Sequence, residues 1–204
     1  MMKQRKNSIC GSPYVRWLTG ALLAAACMLL TFLLYKVTFL NNDDTNILYA
    51  LAGYRTGAPY IAHRFINAAL GAVISGLYRA VPAVPWWAAY QLAMLWLSLT
   101  VLNACLLKLA CRGGVPVWVG MAVCVLLYAT MFVYAVAWVT FTLTACLLGT
   151  AGAALILAFT PERDTPFQRR GAAIAALLLL GLCFLTRNSA GYSMVCFFGA
   201  ALFY

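Results

Sequence analysis

Asp43 and Asp44 stand side by side just past a long apolar segment, in a chain whose only other acidic residues are Glu162 and Asp164. Paired carboxylates at a membrane surface can take a proton from a hydroxyl or hold a metal ion. The same part of the chain carries Lys36, Arg55, the single histidine His63, Arg64 and Arg79, and Arg187 follows a later apolar block. These residues are the candidates for chemistry. Whether they meet depends on the apolar blocks between them.

The chain has 204 residues, of which 65% are hydrophobic and 9% charged; its mean hydropathy is +0.91. Soluble globular domains do not have this composition, and the apolar residues come in blocks close to the ~20 residues that cross a bilayer. The expected class is an all-α, polytopic transmembrane helical protein. It has about six to seven membrane helices, with juxtamembrane helices in a large first outer loop. The net charge of +10 is scattered between apolar blocks rather than gathered into a long basic stretch, so it reads as topology information and gives no reason to expect nucleic acid. The first block, about 17–40, is too long for a signal-peptide core and lacks a small-residue cleavage site, so it reads as an uncleaved anchor. The eight cysteines show no zinc spacing and imply no disulfide framework. They read as small hydrophobes in helix packing.

Apolar blocks lie at about 17–40, 61–81, 86–107, 115–136, 138–160, 171–186 and 191 to the end. If all of them spanned, Lys108 and Arg112 would share the outer face with Arg163, Arg169 and Arg170, against the positive-inside rule. The block at 61–81 is the weakest, since it contains His63, Arg64, Asn67, Ser75 and Arg79 and runs into Pro82 and Pro85. Reading it as an interfacial or re-entrant helix leaves 41–85 as one outer loop. Residues 1–16 then form a cytoplasmic tail and 17–204 a single multi-pass domain in the cell membrane. Lys3, Arg5, Lys6, Arg16, Lys108, Arg112, Arg163, Arg169 and Arg170 become cytoplasmic. Lys36, Arg55, Arg64, Arg79 and Arg187 are left at or near the outer face, against the bias, and this invites a functional explanation.

Within the loop, Asn41-Asn42-Asp43-Asp44 reads as a helix start with Asn42 or Asp43 as cap. Ile47, Leu48 and Leu51 at helical spacing then predict a short amphipathic helix lying on the membrane, with the acid pair at the water–lipid boundary. Tyr49, Tyr54, Tyr60, Tyr78, Trp86, Trp87 and Tyr90 surround the loop, either as an interfacial belt or as stacking surfaces for a sugar. Ala145, Gly149 and Ala153 at four-residue spacing predict close helix packing, and Thr140, Thr142 and Thr144 predict hydroxyl bonds between helices or back to their own carbonyls.

This layout resembles the C-type membrane glycosyltransferases, a family that includes protein mannosyltransferases and aminoarabinose transferases. Asp43-Asp44 stands where that family has an outer acid pair opening a juxtamembrane helix, and Tyr49 to Gly57 is similar to that helix. Pro59 to Phe65 around His63 resembles its His/Lys-Pro-Pro segment, although the proline pair is absent. Leu182 to Gly191 resembles an outer Leu-x-Lys-Gly-Pro turn, with Arg187 in place of lysine. The resemblance implies transfer of a sugar from a polyprenyl-phosphate donor to a lipid or glycan acceptor at the outer face. Asp43 or Asp44 would act as base, with Arg55, Arg64, Arg187 and His63 on the donor phosphate. Repulsion between the aspartates would raise the pKa of one of them. Family enzymes differ in using a divalent metal, and the sequence itself requires none. The last apolar run is too short to span comfortably, so the chain is expected to be an N-terminal portion. Two other classes stay open: a transporter-like protein, and a non-catalytic membrane assembly subunit.

Overall fold

A backbone in lipid must satisfy its polar groups internally, and a long Leu-, Ala- and Val-rich run without interior proline can do so only as a helix. In the computed structural model, which describes residues 12–202 except 56, 61–64 and 161, five such runs reach spanning length. They are α1 Pro13–Leu34, α4 Trp86–Arg112, α5 Val117–Ala137, α6 Phe141–Ala158 and α7 Pro166–Thr186. Proline is confined to the first position of α1 and α7, where its missing amide costs nothing. Three helices are shorter: α2 Asn42–Ala52, α3 Ala68–Ala80 and α8 Asn188–Leu202. The chain is a multi-pass helical membrane protein. At 13 residues α3 is about 20 Å long, well short of a ~30 Å hydrocarbon core.

The long helices alternate in direction, and polar anchors fix where they meet. α1 runs against α4, with Trp96 Nε1 donating to Ala21 O at 3.2 Å and Asn103 Nδ2 to Gly20 O at 3.3 Å. A Cβ at Gly20 would lie 3.0 Å from Thr100 O and 3.1 Å from Ala104 N, so a larger residue there would force the two helices apart by a few tenths of an ångström. Tyr128 opens a π-helical turn in α5, and its hydroxyl is hydrogen-bonded to that of Thr31 on α1 at 2.6 Å. Strands β1 Thr38–Phe39 and β2 Trp138–Val139 pair in parallel, joining the chain after α1 to the chain after α5.

The bundle therefore has two chemically distinct ends. One carries Asp43, Asp44, Lys36, Arg55, Arg79 and Arg187. The other carries Arg16, Lys108, Arg112, Asp164, Arg169 and Arg170. At the second end Asp164 joins the α6–α7 connection to the last turn of α4. Lys108 Nζ is 2.9 Å from its Oδ1, Arg112 Nη2 pairs with Oδ2, and Thr160 N donates to Oδ2 at 3.0 Å. Burial alone would raise the Asp164 carboxyl, but Lys108 and Arg112 outweigh it and hold the group below its ordinary range. Arg112 Nη1 also donates to Ala158 O at 2.6 Å, satisfying a carbonyl at the end of α6.

The loop departs from expectation in three ways. α2 does not lie on the membrane by itself: Ile47 and Leu51 are fully buried in a cluster with Trp87 and Phe141. It starts at Asn42, within the run Asn41–Asp44 that reads as a helix start, but ends at Ala52, short of the Gly57 of the resembled helix, because Gly53 closes it at φ 81°, in the left-handed region that favours glycine. Finally, neither Asn42 nor Asp43 caps it: Asn41 holds that position without a side-chain bond, and both aspartates fall in the first turn. The cysteine expectation fits Cys105, Cys124 and Cys183, which are buried free thiols. Cys111 departs from it, being disulfide-bonded.

At the small-residue stripe of α6, a Cβ at Gly149 would overlap Met194 of α8. Gly149→Leu is expected to lower stability by about 1–3 kcal/mol through overpacking. Adding Met194→Ala should recover part of the loss. Thermal unfolding of the purified protein in detergent measures both effects, and an unchanged melting temperature for Gly149→Leu would remove the close-packing claim.

Candidate functional site

Asp44 is fully buried. A lone buried carboxylate is costly, so its partners decide whether the fold can hold it. Its Oδ1 accepts from Gln91 Nε2 on α4 at 2.9 Å and from the Phe141 amide at 3.1 Å. That amide is one of the free donors at the start of α6, so Asp44 caps α6 from another helix and sits at its positive end. Thr140, the residue before α6, makes no side-chain cap of its own. Thr144 Oγ1, which donates to Thr140 O at 3.0 Å, lies 3.4 Å from Gln91 Oε1 and orients the amide.

The other oxygen is less well served. Asp44 Oδ2, Trp87 Nε1 and Thr140 Oγ1 are each buried without a hydrogen-bond partner. Burial pushes the Asp44 carboxyl above its ordinary range, while Gln91, Thr140, the Phe141 amide and Trp87 pull it back, in that order. Trp87 and Thr140 thus stand near enough to favour the charge while missing hydrogen-bond geometry. The expected raised carboxyl is present at Asp44, but burial is the main cause and the charge of Asp43 does not contribute.

Asp43 has the opposite setting. It is only half-buried, and no hydrogen bond or ion pair engages it among the described residues. The two neighbours therefore differ in kind. One is locked into the bundle, and the other is available.

Arg187 comes to the same place from the other side of the sequence. It is an extended residue between α7 and α8. Its Nη1 donates to Thr142 Oγ1 and its Nε to Ser189 Oγ at 2.9 Å, and its guanidinium lies 4.9 Å from the centroid of the Phe141 ring. Phe141 thus carries Asp44 on its amide and Arg187 over its ring. Nearby, Tyr90 and Thr186 share a hydroxyl–hydroxyl hydrogen bond at 2.6 Å, and Asn67 N donates to Leu185 O at 3.2 Å, tying the start of α3 to the end of α7.

The remaining candidates are spread more widely. Arg55 folds back along α2, with Nη2 2.6 Å from Asn46 Oδ1. Arg79 Nη2 reaches Pro59 O at 3.5 Å. Neither forms an ion pair with Asp43 or Asp44. His63 and Arg64 lie outside the described residues, but the next residue, Phe65, stands 6.2 Å from Phe141, ring to ring. Of the aromatics, Trp87 is fully buried and stacked on Tyr90 at 5.8 Å, whereas Tyr54 and Tyr60 are exposed. Among the described residues, no three His, Cys, Asp or Glu side chains gather in a way that could hold a metal ion.

Sequence reasoning missed Gln91 and Phe141; it named Trp87 only as a belt or stacking aromatic, and Thr140 and Thr142 only as hydroxyls bonding between helices or to their own carbonyls. Gln91 carried a signal, as a primary amide in an apolar block, because such a group needs a buried partner. The Phe141 amide carried none.

Asp44→Asn keeps an oxygen for both donors, whereas Asp44→Ala leaves Gln91 Nε2 and the Phe141 amide unsatisfied, at about 1–3 kcal/mol for each. Because the carboxyl is raised in the folded state, its contribution is full below the unfolded pKa and is lost as pH rises through the folded pKa. Wild-type stability should therefore fall with rising pH across and just above the carboxylate range. Asp44→Asn should flatten that slope, and Asp44→Ala should melt lower throughout. Melting curves in detergent from pH 4 to 8 test this, and a wild-type melting point for Asp44→Ala would show that the cage carries no energy.

Compared with protein-family models, curated proteins and solved structures, the chain matches none.

Proposed function

We propose that this chain is a glycosyltransferase-like protein of the cell membrane that works at the outer face on a polyprenyl-phosphate-linked sugar, with its N-terminus in the cytoplasm. The observation that carries the reading is the division between Asp43 and Asp44. A base must reach its proton donor, and Asp43 is half-buried and unengaged, while Asp44 is committed to Gln91 and Phe141. In this proposal Asp43 is the base and Asp44 the residue that fixes its position.

The reaction runs from an acceptor hydroxyl on a lipid or glycan. Asp43 removes the hydroxyl proton as the oxygen attacks the anomeric carbon. The bond from that carbon to the phosphate oxygen breaks, and the electron pair leaves with the phosphate. Arg187, seated beside Phe141 and Thr142, would receive the departing charge, since a guanidinium is well matched to phosphate oxygens. Arg55 is a further cation of the acidic end, and the roles of His63 and Arg64 rest on the resemblance alone.

Two further points support the orientation and the class. Arg16, Lys108, Arg112, Arg163, Arg169 and Arg170 belong to the end opposite Asp43, as a cytoplasmic face requires. The charged residues of the five long helices stand within their first or last two turns, whereas transporters place such groups near the midplane. The Cys111 disulfide runs against this orientation, because disulfides persist in oxidising compartments. The charge bias is carried by six cations at that end, and topology follows the sum of such charges.

The test reconstitutes the protein with a polyprenyl-phosphate sugar and separates binding from transfer. Asp43→Asn should leave donor binding within about twofold and slow transfer by roughly 10²–10⁴-fold, the usual contribution of a general base. Arg187→Gln should weaken donor binding about tenfold or more. Transfer that continues unchanged in Asp43→Asn, at normal expression, would end the base assignment.

A further inference from the structure

A cavity of about 440 Å³ opens at the basic end of the bundle, between the first turns of α1 and α7 and the last turns of α4 and α6. It is far along the chain and the helices from Asp43, and it stands independently of the transferase reading. Its polar lining includes Arg16, Lys108 and Asp164. Both Asp164 oxygens are already engaged, one by Lys108 and the other by Arg112 and the Thr160 amide. Arg16 lies within electrostatic reach of Arg112 and Asp164. Arg16 and Lys108 in the lining and Arg112 beside it thus surround one carboxylate, and Lys108 is also almost fully buried. Excess positive charge in a partly desolvated place favours an added anion.

The shape narrows the class of anion. The charged groups line the part of the cavity nearest the helix ends, while the wall of α7 runs from Phe167 to Ala175, about 12 Å along the helix at 1.5 Å per residue. Leu155 and Ala172 continue that apolar wall, and Trp17 stands at the rim. A charged end at the helix termini, continued by an apolar wall along the helices, fits an amphiphile whose phosphate stays at headgroup level and whose chain descends between helices. The volume falls within the range of small-molecule pockets. Basic pockets between helices near a membrane boundary are suited to anionic headgroups.

We propose that this cavity binds an anionic phospholipid, with its phosphodiester at Arg16 and Lys108 and the upper part of one acyl chain along Leu155 and Ala172. A free phosphate ion would use the same charges but none of the apolar wall.

The experiment places the purified protein in phosphatidylcholine nanodiscs containing a small fraction of brominated-chain phosphatidylglycerol or brominated-chain phosphatidylcholine. The fluorescence difference between wild type and Trp17→Phe isolates quenching of Trp17. The expected result is half-maximal quenching of Trp17 at a several-fold lower fraction of the anionic lipid than of the zwitterionic one. Arg16→Gln should abolish that preference, Arg16→Lys should keep most of it, and Arg170→Gln, at an exposed residue outside the cavity lining, should leave it unchanged. Equal quenching by the two lipids overturns the proposal. So does loss of the preference in Arg170→Gln as much as in Arg16→Gln, which would mean general surface charge. Displacement of the anionic lipid by millimolar inorganic phosphate would make this a free-phosphate site and would also overturn it. A wild-type melting temperature for Arg16→Lys keeps the comparison interpretable if Arg16→Gln folds poorly.

Discussion

The acidic end of the molecule is organised around the hydrogen bond from the Phe141 amide to Asp44. The first amides of a helix that starts inside a membrane protein have no water to turn to, and each must find an acceptor. Asp44 supplies one from α2, and Gln91 on α4 binds the same oxygen. One carboxylate therefore joins a loop helix to two spanning helices. The apolar contacts of Ile47 and Leu51 with Trp87 and Phe141 form around that anchor. Had α2 merely floated on the bilayer, Asp43 would have no fixed position, and neither would the loop that follows.

The two ends solve the problem of buried charge differently. At the basic end Asp164 is neutralised by two cations and one amide, so its charge is satisfied by ion pairing. At the acidic end Asp44 has no cation. It relies on an amide side chain, a backbone amide and the positive end of α6, and one oxygen is left without a partner. That is the weaker solution for a charge, which is why burial raises its carboxyl while the carboxyl of Asp164 is lowered. Removing the Asp164 pairs would cost the fold a staple between α4 and the α6–α7 connection. Removing the Asp44 bonds would release a loop.

The helical membrane class and the close packing at Gly149 were legible in the sequence because hydropathy and residue size carry them directly. The grouping of Lys108 and Arg112 at one end with Arg169 and Arg170 was legible for the same reason, since loop charge follows topology. The fate of the acid pair was not. Periodicity showed that Ile47 and Leu51 share a face, but what covers that face comes from Trp87 and Phe141, some 40 and 90 residues further on. Nothing local separates Asp43 from Asp44, and a rotation of one residue along α2 decides which of them enters the bundle. Thr142 was read as helix glue, and it holds Arg187, a role that depends on how α7 ends against the start of α6.

Phe141 shows how one residue can link parts of a site that make no direct contact. Asp44 and Arg187 form no ion pair, which at first sight separates the proposed base region from the proposed phosphate ligand. A direct pair would have been worse for the chemistry, because a guanidinium already neutralised by a carboxylate has less to offer a departing phosphate. The Phe141 ring instead carries the guanidinium on its π-face, which attracts a cation without neutralising it, while the Phe141 amide occupies the carboxylate. The positive charge and the negative charge are held at the start of one helix and kept apart by one side chain. In the proposed reaction Asp44 takes no proton: by holding α2 at the start of α6 it fixes its neighbour Asp43, the proposed base, in the same part of the fold as Arg187, which receives the charge that arises on the phosphate.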